Sequence, residues 1–313
     1  MKGEGGFALI ITLLVTALLV ALSVEFVNEV YVDTSLSHNF VAGQQASLLA
    51  SSGIDGGVAL LKFTSALPDH QYSSLADSWA KPIHLEDEKG ALTVTVVEES
   101  GKLNLNMVAP SNGVLDANGF YYGTAVRLAK KLKLSPDLWE ALADWVDLND
   151  EPHPGGAETP YYSALKPPYK AKNAFLDTVE ELGLVKGFTW ATRELLGPFV
   201  TVYGADANLM AASPVNINTA PKELLSVLHQ DMTDELADRI IEYRKVTPFK
   251  SPTDLSNVPG IGPIAQGLQG YVSVLGKVYR LRSEARVGES RRVVEAVVRM
   301  NGSMAAIIYW REY

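Results

Sequence analysis

Phe7-Ala-Leu-Ile-Ile11-Thr-Leu-Leu-Val-Thr16-Ala-Leu-Leu-Val-Ala21-Leu-Ser-Val24 is the stretch whose reading decides the fold. Its only polar members are Thr12, Thr16 and Ser23, whose hydroxyls can bond back to a helix carbonyl. Glu25 is the first charge after the run. About 18 apolar residues in helical form span roughly 27 Å, enough to cross a hydrocarbon core. Six residues precede the run and end in Gly5-Gly6. A secretory signal would have a shorter apolar region followed by a small-residue cleavage site; here only Ala21-Leu22-Ser23 offers one, and poorly. An uncleaved signal anchor is a second competing reading. A buried core helix is a third, disfavoured because no chain precedes the run for it to pack on.

The Gly6-Phe7 junction directly before a membrane helix resembles the cleavage site of type IV pilins and type II secretion pseudopilins. The resemblance implies a prepilin leader over 1–6, cut by the prepilin peptidase on the cytoplasmic face, and methylation. The helix stays in the mature protein. Most members carry Glu at the fifth residue after the cut; here that position is Ile11. A carboxylate in a bilayer costs several kcal/mol unless paired. In the family its partner is the amine of a neighbouring subunit. Ile11 needs no such neighbour, a pattern that resembles the K-type minor pseudopilin placed at the filament tip.

The chain has 313 residues, net charge −9 and no Cys. Its length suits a membrane segment plus two or three modules. The acidic balance argues against nucleic acid, whose phosphates need a basic footprint. No disulfide framework or thiolate metal site is possible. Lys2 lies before the run, and Glu25, Glu29 and Asp33 after it. The positive-inside rule then puts the N-terminus in the cytoplasm and the head outside it, which in this family means inner membrane and periplasm.

No Pro interrupts the chain from Glu25 to Phe63, and Val27, Val30, Val41, Leu48, Leu49, Leu60 and Leu61 recur at helical spacing. One helix is expected over 7–65, with 7–24 in the membrane and Pro68-Asp69 as its stop. Ala46, Ala50, Gly53 and Gly57 make a narrow stripe suited to lie close on a sheet. Gly90 to Val97 alternates as a strand, opening a first sheet segment within 66–109. Strand signals return at Tyr271 to Leu275, Lys277 to Val287, Arg291 to Met300 and Met304 to Trp310, with turns at Gly288-Glu289 and Asn301-Gly302. The expected fold is therefore α+β: a pilin-like long helix on an antiparallel sheet completed by 271–313, with a large helical insertion.

The insertion contains an echo. Gly101-Lys-Leu-Asn-Leu-Asn106 resembles Pro214-Val-Asn-Ile-Asn218, and each leads into helix. Two related modules are expected, at 110–213 and 214–270. In the second, Val258-Pro-Gly-Ile-Gly262 is similar to the hairpin of helix-hairpin-helix DNA-binding modules, where backbone N–H groups meet a phosphate. Lys or Arg usually follows such a hairpin, but here Pro263 to Gly270 holds no cation. The bland reading, a helix-packing turn, is preferred, in a protein-contact module resembling sterile-alpha-motif domains.

The first module holds an acidic loop, Asp144-Trp-Val-Asp147-Leu-Asn149-Asp150-Glu151-Pro-His-Pro-Gly-Gly-Ala-Glu158. Counting from Asp147, oxygen side chains fall at positions 1 (Asp147), 3 (Asn149), 5 (Glu151) and 12 (Glu158). That is calcium-loop spacing. Pro152 occupies position 6, where an EF-hand needs Gly, so a non-EF calcium loop is expected. Asp144 and Asp150 are additional candidate ligands. The K-type family carries a similar Asp-Trp-x-Asp-x-Asp segment and Gly-Ala-Glu with bound calcium; Asn149 here removes one charge. The competing reading is a solvated acidic cap.

Catalysis finds little support. His38, His70, His84, His153 and His229 are scattered, and no nucleophile elbow or nucleotide loop is present. The resemblance covers essentially the whole chain. It implies a non-enzymatic minor pseudopilin that nucleates and caps the type II secretion pseudopilus. Its partners would be the I-type and J-type minor subunits and other pseudopilins, with calcium as cofactor and no nucleic acid. The alternative is a membrane-anchored DNA receptor using the hairpin.

Overall fold

The computed structural model describes residues 4–67, 71–109, 112–204 and 213–313. Met1 to Gly3 of the expected leader, the Pro68-Asp69 helix stop and His70 lie outside the described residues.

Helix α1 (Glu4–Ser65) runs for 62 residues, about 93 Å at 1.5 Å per residue. Within the membrane run, Thr12 donates to the Ala8 carbonyl at 3.1 Å, Thr16 to Thr12 at 2.9 Å and Ser23 to Leu19 at 2.8 Å. These bonds satisfy each hydroxyl inside the helix, as a hydrocarbon surrounding requires. From Gly6 to Val41 the side chains are exposed almost without break. The buried face begins at Ala42 and Gly43 and continues through Ala46, Ala50, Gly53, Ile54, Gly57 and Leu61. The small-residue stripe is thus the packing face. Val27, Val30, Val41 and Leu48, which share the apolar periodicity, point outward instead.

That face lies on a five-stranded antiparallel sheet of order β1-β2-β7-β8-β9. Its strands are β1 (Ile83–Asp87), β2 (Gly90–Glu98), β7 (Val278–Val287), β8 (Ser290–Asn301) and β9 (Met304–Glu312). Tight turns at Gly288-Glu289 and Gly302-Ser303 close the last two hairpins, and Gly288 (φ 55°) and Gly302 (φ 58°) supply the left-handed backbone. Leu92, Val94 and Val96 of β2, Leu281 of β7 and Val294, Ala296, Val298 and Met300 of β8 form one core under α1. Trp79, in a 3-10 turn over Ser78–Ala80, meets Tyr279 edge-on at 5.2 Å and closes one flank. Strand β1 carries His84, Glu86 and Asp87, and its charges hide its strand pattern in the sequence.

β2 and β7 are neighbours, with Glu98 opposite Tyr279. The intervening 180 residues or so therefore leave and return within one strand spacing. They form a second, larger core. Among its described residues, the regular structure of the insertion is helical apart from two short parallel ladders. β3 (Leu103–Asn104) pairs with β4 (Val200–Thr201), and β5 (Val215–Asn216) pairs with β6 (Val272–Ser273). The Tyr271 to Leu275 strand expected in the main sheet is corrected here, since its paired residues belong to the β5–β6 ladder. Helices α2 (Leu105–Val108), α3 (Phe120–Lys131), α4 (Asp137–Val146), α5 (Thr159–Ser163) and α6 (Trp190–Leu196) lie between the first pair of ladder strands. Helices α7 (Lys222–Leu225), α8 (Asp234–Val246) and α9 (Gly262–Gly267) lie between the second pair.

Candidate functional site

The acidic loop joins α4 to α5. Asp147 is the C-cap of α4 and Glu158 the N-cap of α5, so the twelve loop residues sit between two helices. Helix α4 is apolar on nearly every face and wholly buried from Ala141 to Val146, which carries Asp144 and Asp147 into the interior. Asp144, Asp147 and His153 bring ligand atoms within 4.8 Å of one another. His153, one of the histidines scattered in the sequence, bonds the Asp144 carboxylate through Nδ1, and its backbone N–H donates to the same group at 3.1 Å. The spacing of histidines alone misses this, because the partner is an aspartate nine residues upstream. Burial opposes the charge on His153, but the Asp144 hydrogen bond holds its pKa above the ordinary range.

Glu158 is 3 % exposed, and neither of its carboxylate oxygens has a hydrogen-bond partner among the described residues. Asp147 Oδ2 is likewise buried, with no partner among the described residues. Burial first, then the charges of Asp144, Asp147 and Asp150, push Glu158 up to about 7. Burial also raises Asp147. Carboxylate oxygens withdrawn from water without donors are costly unless a cation meets them. The backbone closes tightly around them. A Cβ at Gly156 would stand 1.9 Å from Asp144 Oδ2, and one at Gly113 (φ 71°) would stand 2.4 Å from Asp147 Oδ2. Lys186 pins the loop by donating to the Gly155 and Gly156 carbonyls at 3.1 and 2.8 Å.

Of the sequence candidates, Asp144 and Asp147 come together, joined by His153, while Glu158 is buried within reach of their charge. Asn149, Asp150 and Glu151 are exposed. Asn149 Oδ1 accepts the Glu151 N–H at 2.7 Å, and the Asn149 N–H donates to Asp147 Oδ1 at 3.1 Å. These two residues therefore shape the turn. Hard oxygens dominate the donor set, which fits calcium, while one imidazole beside two carboxylates also suits a transition metal.

The two modules repeat one hydrogen-bond device. Asn104 Oδ1 accepts from the Asn106 N–H at 3.0 Å, and Asn106 then holds Leu176 by both backbone groups and Val202 by its carbonyl. Asn216 Oδ1 accepts from the Asn218 N–H at 2.9 Å, and Asn218 holds both backbone groups of Phe249. The short sequence echo is thus a repeated way of fastening a distant loop to a ladder. Asn216 also reaches outward, donating to both oxygens of the fully buried Glu98 carboxyl at 3.0 Å. Burial pushes Glu98 up to about 8. At Val258-Pro-Gly-Ile-Gly262, Gly260 takes φ 87°. The sequence shows no cation after this hairpin, but the fold brings Arg239 to it from α8. Arg239 donates to the Pro259 carbonyl at 3.0 Å and so supports the turn.

A bare apolar helix whose upper half lies on an antiparallel sheet defines a pilin-like, membrane-anchored subunit. The fold matches a chain in the crystal structure of the GspK-GspI-GspJ complex from the enterotoxigenic Escherichia coli Type 2 Secretion System. The TM-score is 0.73 at 19% identity, covering 90% of this chain and 99% of that one. Family models described as type II secretion system, protein K match residues 101–205 and 215–274, together more than half of the chain. Relatives include type II secretion system protein K of Aeromonas hydrophila, 25% identical over 95% of this chain and 93% of that protein. That of Klebsiella pneumoniae is 28% identical over 82% and 78%. The chain belongs to the type II secretion system protein K family.

Proposed function

We propose that this protein is the tip subunit of a type II secretion pseudopilus, nucleating and capping its assembly for export across the outer membrane. The observation that carries the proposal is the shape of the head. An insertion of two fastened modules emerges between β2 and β7, and a head this wide would obstruct stacking along a shaft. Ile11, exposed on the stem, supports the same placement, because it leaves the helix without the carboxylate that couples a subunit to a neighbour's amine. The proposed partners are the I-type and J-type minor pseudopilins, the other chains named with the fold match. In this reading the prepilin peptidase cuts between Gly6 and Phe7, the stem stays in the inner membrane with its N-terminus cytoplasmic, and the head is periplasmic. Calcium held by Asp147, Glu158 and Asp144 would neutralise the buried carboxylates and fix the loop. The role is mechanical and steric, with no catalytic step.

Labelled subunits located on isolated pseudopili test the placement. Label at one end only is expected; label along the whole length overturns it. The DNA-receptor alternative is tested by binding of duplex DNA to the head, with micromolar, steeply salt-dependent affinity as the result that would favour it.

A further inference from the structure

The two modules of the insertion meet across a cleft of about 310 Å³. The start of α3 and Arg127 form one wall; the turn after α7, the end of α9 and Tyr271 form the other. Arg127 is the one formally charged residue among those lining it, in a chain of net charge −9. Its guanidinium reaches from the first module to the second. Nε donates to the Val227 carbonyl at 2.7 Å, and Nη2 donates to the Leu228 carbonyl at 3.1 Å and to Thr124 Oγ1 at 3.2 Å. These bonds fix the group but leave its charge unanswered. Among the described residues no carboxylate pairs with it, and burial alone lowers its pKa. Nη1 has no hydrogen-bond partner among them either. A charge drawn partly out of water is normally paired. His229 offers a second donor to the same space. Its Nδ1 accepts the Asp231 N–H at 3.2 Å, which puts the proton of the neutral ring on Nε2. Nε2 lies over Gly267, 3.1 Å from where a Cβ would stand. The Asp231 carboxylate, 3.6 Å from Nδ1, and Asp116 lie outside the lining. Beside these donors, Phe120 and Tyr271 stack at 4.3 Å with their planes 11° apart, and Leu268 extends the apolar surface.

We propose that the cleft between the two modules binds a carboxylate carried on an apolar or aromatic body, supplied by a polypeptide C-terminus or by a small organic acid. The carboxylate takes Arg127 Nη1 and His229 Nε2, and the body lies against the Phe120–Tyr271 pair and Leu268. One cation and one neutral N–H suit a singly charged, planar group with two oxygens. A phosphate monoester would bring close to two charges against one. A wholly apolar ligand would leave Arg127 without a counter-charge. Apolar walls with a few convergent polar groups, set between two domains, are the common form of a small-ligand site.

The test titrates the full chain in detergent with N-acetylphenylalanine, with a short peptide ending in a free phenylalanine carboxylate, and with the amide of each. Saturable binding of an acid is expected, with its amide at least about tenfold weaker, since the amide cannot answer the charge of Arg127. Tighter binding of the peptide assigns the cleft to a chain end, and equal binding assigns it to a small acid; both uphold its chemistry. Arg127→Gln should abolish binding, but it also loses the bonds to Val227 and Leu228. Gly267→Leu leaves those bonds intact and places its side chain against His229 Nε2. It should abolish binding with head melting unchanged, and His229→Ala should weaken binding about tenfold. No binding of either acid, equal binding of acid and amide, or undiminished binding by folded Gly267→Leu or His229→Ala overturns the proposal.

Discussion

At the scale of single residues, asparagine carries much of the architecture. Asn218 is 1% exposed and satisfies both backbone groups of Phe249 while its own N–H bonds Asn216. Truncation strands a buried donor and a buried acceptor, each costing about 1–3 kcal/mol. Asn218→Ala should therefore destabilise the head by about 2–4 kcal/mol in urea unfolding, and Asn106→Ala similarly. The Leu-Asn-Leu-Asn and Val-Asn-Ile-Asn strings are readable in the sequence as a repeat. Their targets, Leu176 and Phe249, are not, because nothing in a one-dimensional pattern marks a loop carbonyl 30 to 70 residues away. Glu98 gives the molecule a pH dependence with a definite sign. Burial raises its folded pKa from 4.5 to about 8, so the native state keeps the proton over that interval. The stability it contributes is full below pH 4.5 and lost as pH rises through about 8, at roughly 1.4 kcal/mol per pH unit within the window. Glu98→Gln should flatten the wild-type decline in urea midpoint between pH 5 and 8. An unchanged slope would show that Glu98 is not its source.

At the scale of elements, α1 meets the sheet through glycines whose roles differ. A Cβ at Gly53 would lie 2.2 Å from Ser283 Oγ and 2.9 Å from Val94, both held in the core, whereas Gly56 faces open space. Overpacking costs about 1–3 kcal/mol, while replacing a helical Gly with Ala gains up to about 1 kcal/mol. Gly53→Ala should then lower the melting temperature of the head and Gly56→Ala should raise it, as calorimetry can measure. The helix, its small-residue stripe and the β7–β9 hairpins were legible because their periods and turn glycines are strong local signals. β1 was not, since an edge strand rich in charge reads as loop. The two-residue ladders were not, because they are too short to have a period. At the acidic loop, alternate oxygens are legible in the sequence, but their burial is not: Asp144, Asp147 and Glu158 lie inside and Asn149, Asp150 and Glu151 are exposed. Only the fold brings His153 to Asp144 and Asp147.

At the scale of the whole molecule, an ion bound only by the folded head would stabilise it by mass action, about 2.7 kcal/mol at a hundred times the dissociation constant. Calcium should raise the melting temperature over that in chelator, and Glu158→Ala should abolish the rise. Zinc at equal concentration provides the comparison, because a larger shift with zinc would assign the site to the His153 donor set instead. The insertion's exit and return between adjacent strands has a consequence for biogenesis. Three of the five strands under α1 come from residues 278–312, so the sheet cannot close until that segment has been made. Both short ladders and the Asn106 and Asn218 fastenings lie within the insertion, so their formation does not wait for the sheet and would shorten the loop that the sheet must finally close. Until then Ala46, Ala50, Gly53 and Gly57 have nothing to lie on. Synthesis of the β7–β9 segment is therefore the event that makes the head whole, and a chain truncated before Val278 would leave the stem without its sheet and the insertion core without Val278 and Val297.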